Sequence, residues 1–129
     1  MKDRIFTKGQ TVCLKIVEGS NEYRRLPKEP NGRPDIVNRL IETNIVSVTN
    51  TYITVEYRNL KFEVKNDYRE HSNYSANYEI FETVKDAIND DTKEILWRTL
   101  RTTLSYTYNK CPYTLEQIEK VLEILNITV

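Results

Sequence analysis

The sequence predicts an α+β fold: a small antiparallel β-barrel over residues 1–82, followed by a helical segment over residues 83–129. Three observations predict it. Apolar residues alternate with polar ones in short runs up to Phe81, the links around Asn50 and Asn59 are only a few residues long, and beyond Thr83 the leucines recur at helical spacing. A short curled meander that closes on itself points to an SH3-like barrel. One domain is expected, since 129 residues bury a sufficient core without disulfides or metals.

The first strand is expected over residues 10–17, where Val12, Leu14 and Ile16 alternate with Thr11, Cys13 and Lys15 to give one buried face. Gly19, Pro27, Pro30, Gly32 and Pro34 then break the chain too often for regular structure, so Glu18 to Arg39 reads as a long loop. Ile41 to Val48 and Tyr52 to Tyr57 form a hairpin across Thr49-Asn50-Thr51, and β-branched residues dominate both sides. A second tight link at Arg58-Asn59 leads into Leu60 to Val64, with Leu60, Phe62 and Val64 on one face. Tyr78-Glu79-Ile80-Phe81 is expected to return as the closing strand, removing the edges an open sheet would leave. Thr83 with Asp86 reads as a helix start, and Asp91 with Glu94 repeats the signal. Leu96, Leu100 and Leu104 fall at helical spacing, and if they face inward Trp97 lies about 100° away from them. After Cys111-Pro112, Thr114 and Gln117 form a capping-box pattern, and Leu115, Ile118, Val121, Leu122 and Leu125 mark one face of a last helix.

Composition narrows the functions. Lys plus Arg number 19 and Asp plus Glu number 19, so no overall field draws the chain to nucleic acid or an anionic membrane. Cys13 and Cys111 lack the spacing of a zinc or redox motif, which suits a reducing cytoplasm. No apolar run approaches the roughly 20 residues that span a bilayer, and no signal peptide is expected at the N-terminus. The two Asn-X-Ser/Thr matches, at Asn73 and Asn126, read as chance.

Several segments together resemble a family of small β-barrel domain proteins of Gram-positive bacteria, their prophages and phages. They are Gly9-Gln10-Thr11-Val12, Tyr23-Arg24-Arg25, Val48 to Val55, Lys61-Phe62-Glu63-Val64, Tyr78-Glu79-Ile80-Phe81 and Thr114-Leu115-Glu116-Gln117-Ile118. The resemblance implies an accessory protein in a setting where counter-defence and host-takeover proteins are frequent. The chain departs from the pattern at the hairpin, where a glycine is common in the family. A positive φ there would fall to Asn50, a residue that tolerates it. The proline-rich loop around Gly32 is also unusual for the family.

Catalysis near neutral pH favours a tunable group, and the sole histidine, His71, lies in a polar stretch where a solvated loop side chain is the simpler reading. Asp90-Asp91 and Glu63 with Asp67 read as a helix start and an exposed strand end rather than as acid-base pairs. No phosphate-cradling glycine loop, metal set or cofactor motif is present. The loop before the second strand carries Arg24, Arg25, Lys28, Arg33 and Arg39 against Glu22, Glu29 and Asp35, an excess of two, beside Tyr23. Arginines beside an aromatic can pair with phosphate and stack on bases. Nine tyrosines, among them the groups Tyr68, Tyr74, Tyr78 and Tyr106, Tyr108, Tyr113, either cover a seam or form a binding surface. Trp97, with Arg98 and Arg101, lies off the leucine stripe and has hot-spot composition.

The sequence therefore points to a non-catalytic binding protein of phage or prophage type, with inhibition of a host defence system among the roles that setting offers. Its expected contacts are Tyr23, Arg24, Arg25, Arg33, Tyr74, Trp97, Arg98 and Arg101. A protein is the expected partner. The alternatives are an SH3-like nucleic-acid binder using the basic loop and an enzyme built on His71 or Cys13. The apolar C-terminal residues Ile124, Ile127 and Val129 leave room for a homodimer.

Overall fold

A computed structural model describes residues 5–105 and 110–128. Tyr106, Tyr108 and Val129, singled out above, lie outside the described residues. The chain divides into two compact units, Met1–Ile95 and Leu96–Val129.

The first unit is a six-stranded antiparallel sheet curled into a nearly closed barrel, with order β5-β4-β3-β2-β1-β6. The strands are β1 (Thr11–Ile16), β2 (Leu40–Val48), β3 (Tyr52–Val55), β4 (Lys61–Glu63), β5 (Arg69–Glu70) and β6 (Tyr78–Phe81). β2 is the longest because it serves two neighbours. Leu40 to Asn44 pair with β1, and Ile45 to Val48 pair with β3 across an irregularity between Ile45 and Ser47. Such a bulge bends the strand, and here it turns the sheet back on itself. β5 and β6 meet through a side chain. Glu70 Oε1 accepts the backbone N–H groups of Asn77 and Tyr78 at 3.1 and 3.0 Å, satisfying donors at the seam.

Val12, Leu14 and Ile16 enter the barrel core with Phe6, Tyr23, Ile45, Ile53, Val55, Phe62, Tyr78 and Ile80. The other face of β1 is buried too, which the alternation alone did not show. Cys13 packs with Phe81 and Ala87 beneath the start of α2 (Val84–Ser105), and Lys15 is buried beside them. Lys15 Nζ reaches Asp90 at 2.5 Å and lies 5.0 Å from the Phe81 ring centre.

The segment read as an unbroken loop contains a one-turn helix, α1 (Asn21–Arg24), and a 3₁₀ turn at Ile36–Arg39. Ser20 Oγ accepts the Tyr23 amide and caps α1. At the hairpin, the Thr49 hydroxyl accepts the amides of Thr51 and Tyr52, so a side chain shapes the turn. Asn50 consequently does not take the positive φ expected of it; Arg58 and Asn59 do, each at 52°, in the next turn.

Thr83 caps α2 through the Asp86 amide at 3.0 Å, as the spacing predicts. Asp91 does not start a second helix. α2 runs through it without a break, because the Asp91 side chain is taken by Arg39 at 2.6 Å instead of by an N-terminal amide. In the second unit, α3 (Leu115–Ile124) begins with the full capping box, Thr114 to the Gln117 amide and Gln117 back to the Thr114 amide.

Candidate functional site

The basic loop is rearranged by folding. Tyr23, at 9% exposure, belongs to the core, with Lys28 Nζ 4.6 Å and Arg39 Cζ 5.1 Å from its ring centre. A ring so covered offers no stacking platform to a base. Arg39 is buried at 3%, donates to the Ile16 carbonyl through Nε and Nη2, and pairs with Asp91. Arg33 stands within 4.0 Å of Glu18 and 3.9 Å of Asp91. Arg25 reaches Glu22 at 3.3 Å, and Arg58 approaches the same carboxylate at 3.6 Å. Arg24, Arg25 and Lys28 stay exposed, Lys28 donating to the Tyr23 and Leu26 carbonyls, while Arg33 and Arg39 lie against acids.

His71 follows β5 and is exposed, as expected of a polar stretch. It is nevertheless held. Its Nδ1 lies 3.1 Å from Glu63 Oε2, and its ring lies 4.9 Å from that of Tyr52. The His71 hydrogen bond, aided by Asn66, keeps the Glu63 carboxyl below its ordinary 4.5. With Glu63 ionised, Nδ1 must carry the proton, which makes Nε2 the acceptor nitrogen of the neutral ring. Thr51, Tyr52, Glu63, Lys65, Asn66 and His71 line an open recess there of about 400 Å³. The sequence pointed to Glu63 beside Asp67; the pairing with His71 depends on β4 and β5 lying side by side, so spacing carried no sign of it. Cys13 is fully buried and its thiol is pushed up by that burial, which closes it to nucleophilic chemistry. Among the described residues no group of His, Cys, Asp and Glu could hold a metal ion, and no helix is long and apolar enough to cross a membrane.

The tyrosines have separate fates. Tyr78 is buried, and its hydroxyl accepts from Arg58 Nη1 at 3.0 Å. Tyr68 packs against the core, edge-on to Phe6 at 5.0 Å. Tyr74 is 83% exposed, alone of its group.

A run of exposed apolar residues lies in the second unit. Trp97 is 51% exposed, in keeping with its place off the leucine stripe. Leu96, Leu100 and Leu104 are exposed as well, so the condition that the stripe faces inward is not met. Helical spacing reports which residues share a face; it does not report what covers that face. On α3, Leu115, Ile118, Val121 and Ile124 are likewise exposed, as is Leu125 at its C-terminal cap. Leu100, Leu104, Tyr113, Ile118, Val121 and Leu122 line an apolar groove of about 440 Å³. Arg98 is half-buried and Arg101 exposed beside this surface. Contiguous apolar surface of this kind marks an interaction site more often than a free surface.

The family model for the phage ProQ C-terminal-like domain covers residues 1–127. No curated protein and no solved structure matches the chain.

Proposed function

We propose, for a chain that belongs to the phage ProQ C-terminal-like domain family, that it is a non-catalytic protein-binding domain whose docking surface is its helical unit. The observation that carries this reading is the exposed apolar surface around Trp97, with Leu96, Leu100 and Leu104 on α2 and the facing residues of α3. A half-exposed Trp flanked by Leu and Arg is the composition of an interface hot spot. The phage connection makes a bacterial host protein the natural partner, and a component of a host defence system fits that setting. The barrel then acts as the scaffold.

The test is capture from a bacterial host lysate by the tagged full chain, with and without nuclease. A nuclease-resistant protein should co-purify, and Trp97→Ala should weaken its binding by about 2 kcal/mol, roughly thirty-fold. Expression in a cell carrying the matching defence system should restore infection by a sensitive phage. Capture that is indifferent to Trp97→Ala would remove the reading. Capture of nucleic acid that falls with salt and with Arg24→Ala plus Arg25→Ala would replace it by the nucleic-acid alternative.

A further inference from the structure

The outer face of the barrel carries a polar recess that docking on the helices leaves unused. Ile53 and Phe62 point into the core, so the alternation along β3 and β4 turns Tyr52 and Glu63 outward, where they stand opposite each other across the two strands. His71, just past β5, joins them. These three side chains, with Thr51, Lys65 and Asn66, line the open recess of about 400 Å³, a volume within the range of small-molecule sites.

What the recess can bind follows from which of its groups are already engaged. Both Glu63 oxygens are occupied: Oε1 accepts from Asn66 Nδ2 at 3.3 Å, and Oε2 lies 3.1 Å from His71 Nδ1. The same two contacts fix what the partners present outward. With its Nδ1 proton on Glu63, His71 presents a bare Nε2, and with its amide N–H on Glu63, Asn66 keeps Oδ1 as an acceptor. Lys65 is the remaining charge, exposed and with no acidic partner among the described residues. A matching ligand therefore brings an anionic group for Lys65 and hydroxyl donors for the two acceptors. An anion without donors sets its lone pairs against Nε2, and a neutral sugar leaves Lys65 without a counter-charge. The Tyr52 ring, 4.9 Å from that of His71 and inclined to it by 58°, adds an apolar wall for the C–H face of a sugar ring. We propose that the recess is a binding site for a monosaccharide phosphate, with the phosphate on Lys65 and sugar hydroxyls donating to His71 Nε2 and Asn66 Oδ1. Glu63 touches no ligand atom in this arrangement; it is a positioning residue that sets the His71 tautomer. The site lies in the barrel unit and does not depend on what docks on the helices.

The single histidine reports on this site directly. In mildly alkaline buffer, where an ordinary imidazole is neutral, nitrogen NMR of the isotope-labelled full chain should show the proton on Nδ1. Adding glucose 6-phosphate should move the Nε2 resonance along a saturable curve. Glucose and inorganic phosphate, each holding half of the required chemistry, should bind weaker by about tenfold or more. Lys65→Ala removes an exposed cation and should weaken glucose 6-phosphate binding by about tenfold, whereas Lys85→Ala, at an exposed lysine in the first turn of α2, should leave it unchanged. Glu63→Ala frees Nδ1, so the proton should redistribute onto Nε2 and binding should weaken with it, a tautomer signature that loss of packing would not produce. The near-ultraviolet signal of the barrel tyrosines, unchanged, shows that each variant is folded. No saturable shift up to about 10 mM glucose 6-phosphate overturns the proposal, as does inorganic phosphate that binds as tightly as the sugar phosphate, or binding indifferent to Lys65→Ala.

Discussion

Glu70 and Glu63 are carboxylates on adjacent strands whose surroundings push their titration in opposite directions. Glu70 is buried at the barrel seam, and desolvation raises its carboxyl above the ordinary 4.5, outweighing the two amides it accepts. Glu63 is lowered by His71 and Asn66. A raised carboxyl contributes stability that is fully present below 4.5 and is lost as pH rises through the folded value. A lowered one contributes stability that is present above 4.5 and is lost as pH falls through the folded value. Glu70→Gln keeps an acceptor without the charge, so its urea midpoint should gain on the wild type as pH rises from acid to neutral. Glu63→Gln should fall behind the wild type over the same rise. Glu70→Ala removes the acceptor of two amides and should cost about 2 kcal/mol or more at every pH. Parallel pH profiles for the two glutamine variants would show that neither environment acts as described. Neither role was legible in the sequence, because a carboxylate's environment is made by residues its neighbours in sequence do not name. Glu70 drew no attention there, lying in a polar stretch that forms a strand of only two residues.

Elements held together by local rules were the ones the sequence disclosed. β1 to β4, β6 and the starts of α2 and α3 follow from alternation, β-branched residues and caps, all of which act over a few positions. Misreadings arose where tertiary contact overrode a local signal. Asp91 carries a cap signal but sits within α2 because Arg39 holds it, and the buried second face of β1 reflects the start of α2 packed over it. Thr114 tests the local rule from the other side. Its capping box satisfies two backbone donors of a helix with little else holding its apolar face. Thr114→Ala should therefore cost about 1 kcal/mol of α3 stability. That loss should show as reduced helical circular dichroism, with the near-ultraviolet signal of Tyr23 and Tyr78 in the barrel unchanged. An unaltered helical signal would mean that packing, rather than the cap, sets where α3 begins.

At the scale of the whole molecule, the two compact units differ in what stabilises them. The barrel has an apolar core and the buried cations Lys15 and Arg39, paired with the part-buried Asp90 and Asp91, whereas the unit beginning at Leu96 keeps its leucines and isoleucines largely exposed. Apolar area removed from water is the main source of stability, so the helical unit should open first. The chain supplies its own reporters for this comparison. Its one tryptophan, Trp97, lies in the second unit, while the buried Tyr23 and Tyr78 lie in the first. Urea titration should show the tryptophan fluorescence changing at a lower midpoint than the tyrosine near-ultraviolet signal. Coincident midpoints would make the chain one cooperative unit, and would remove the basis for assigning scaffold to the barrel and docking to the helices.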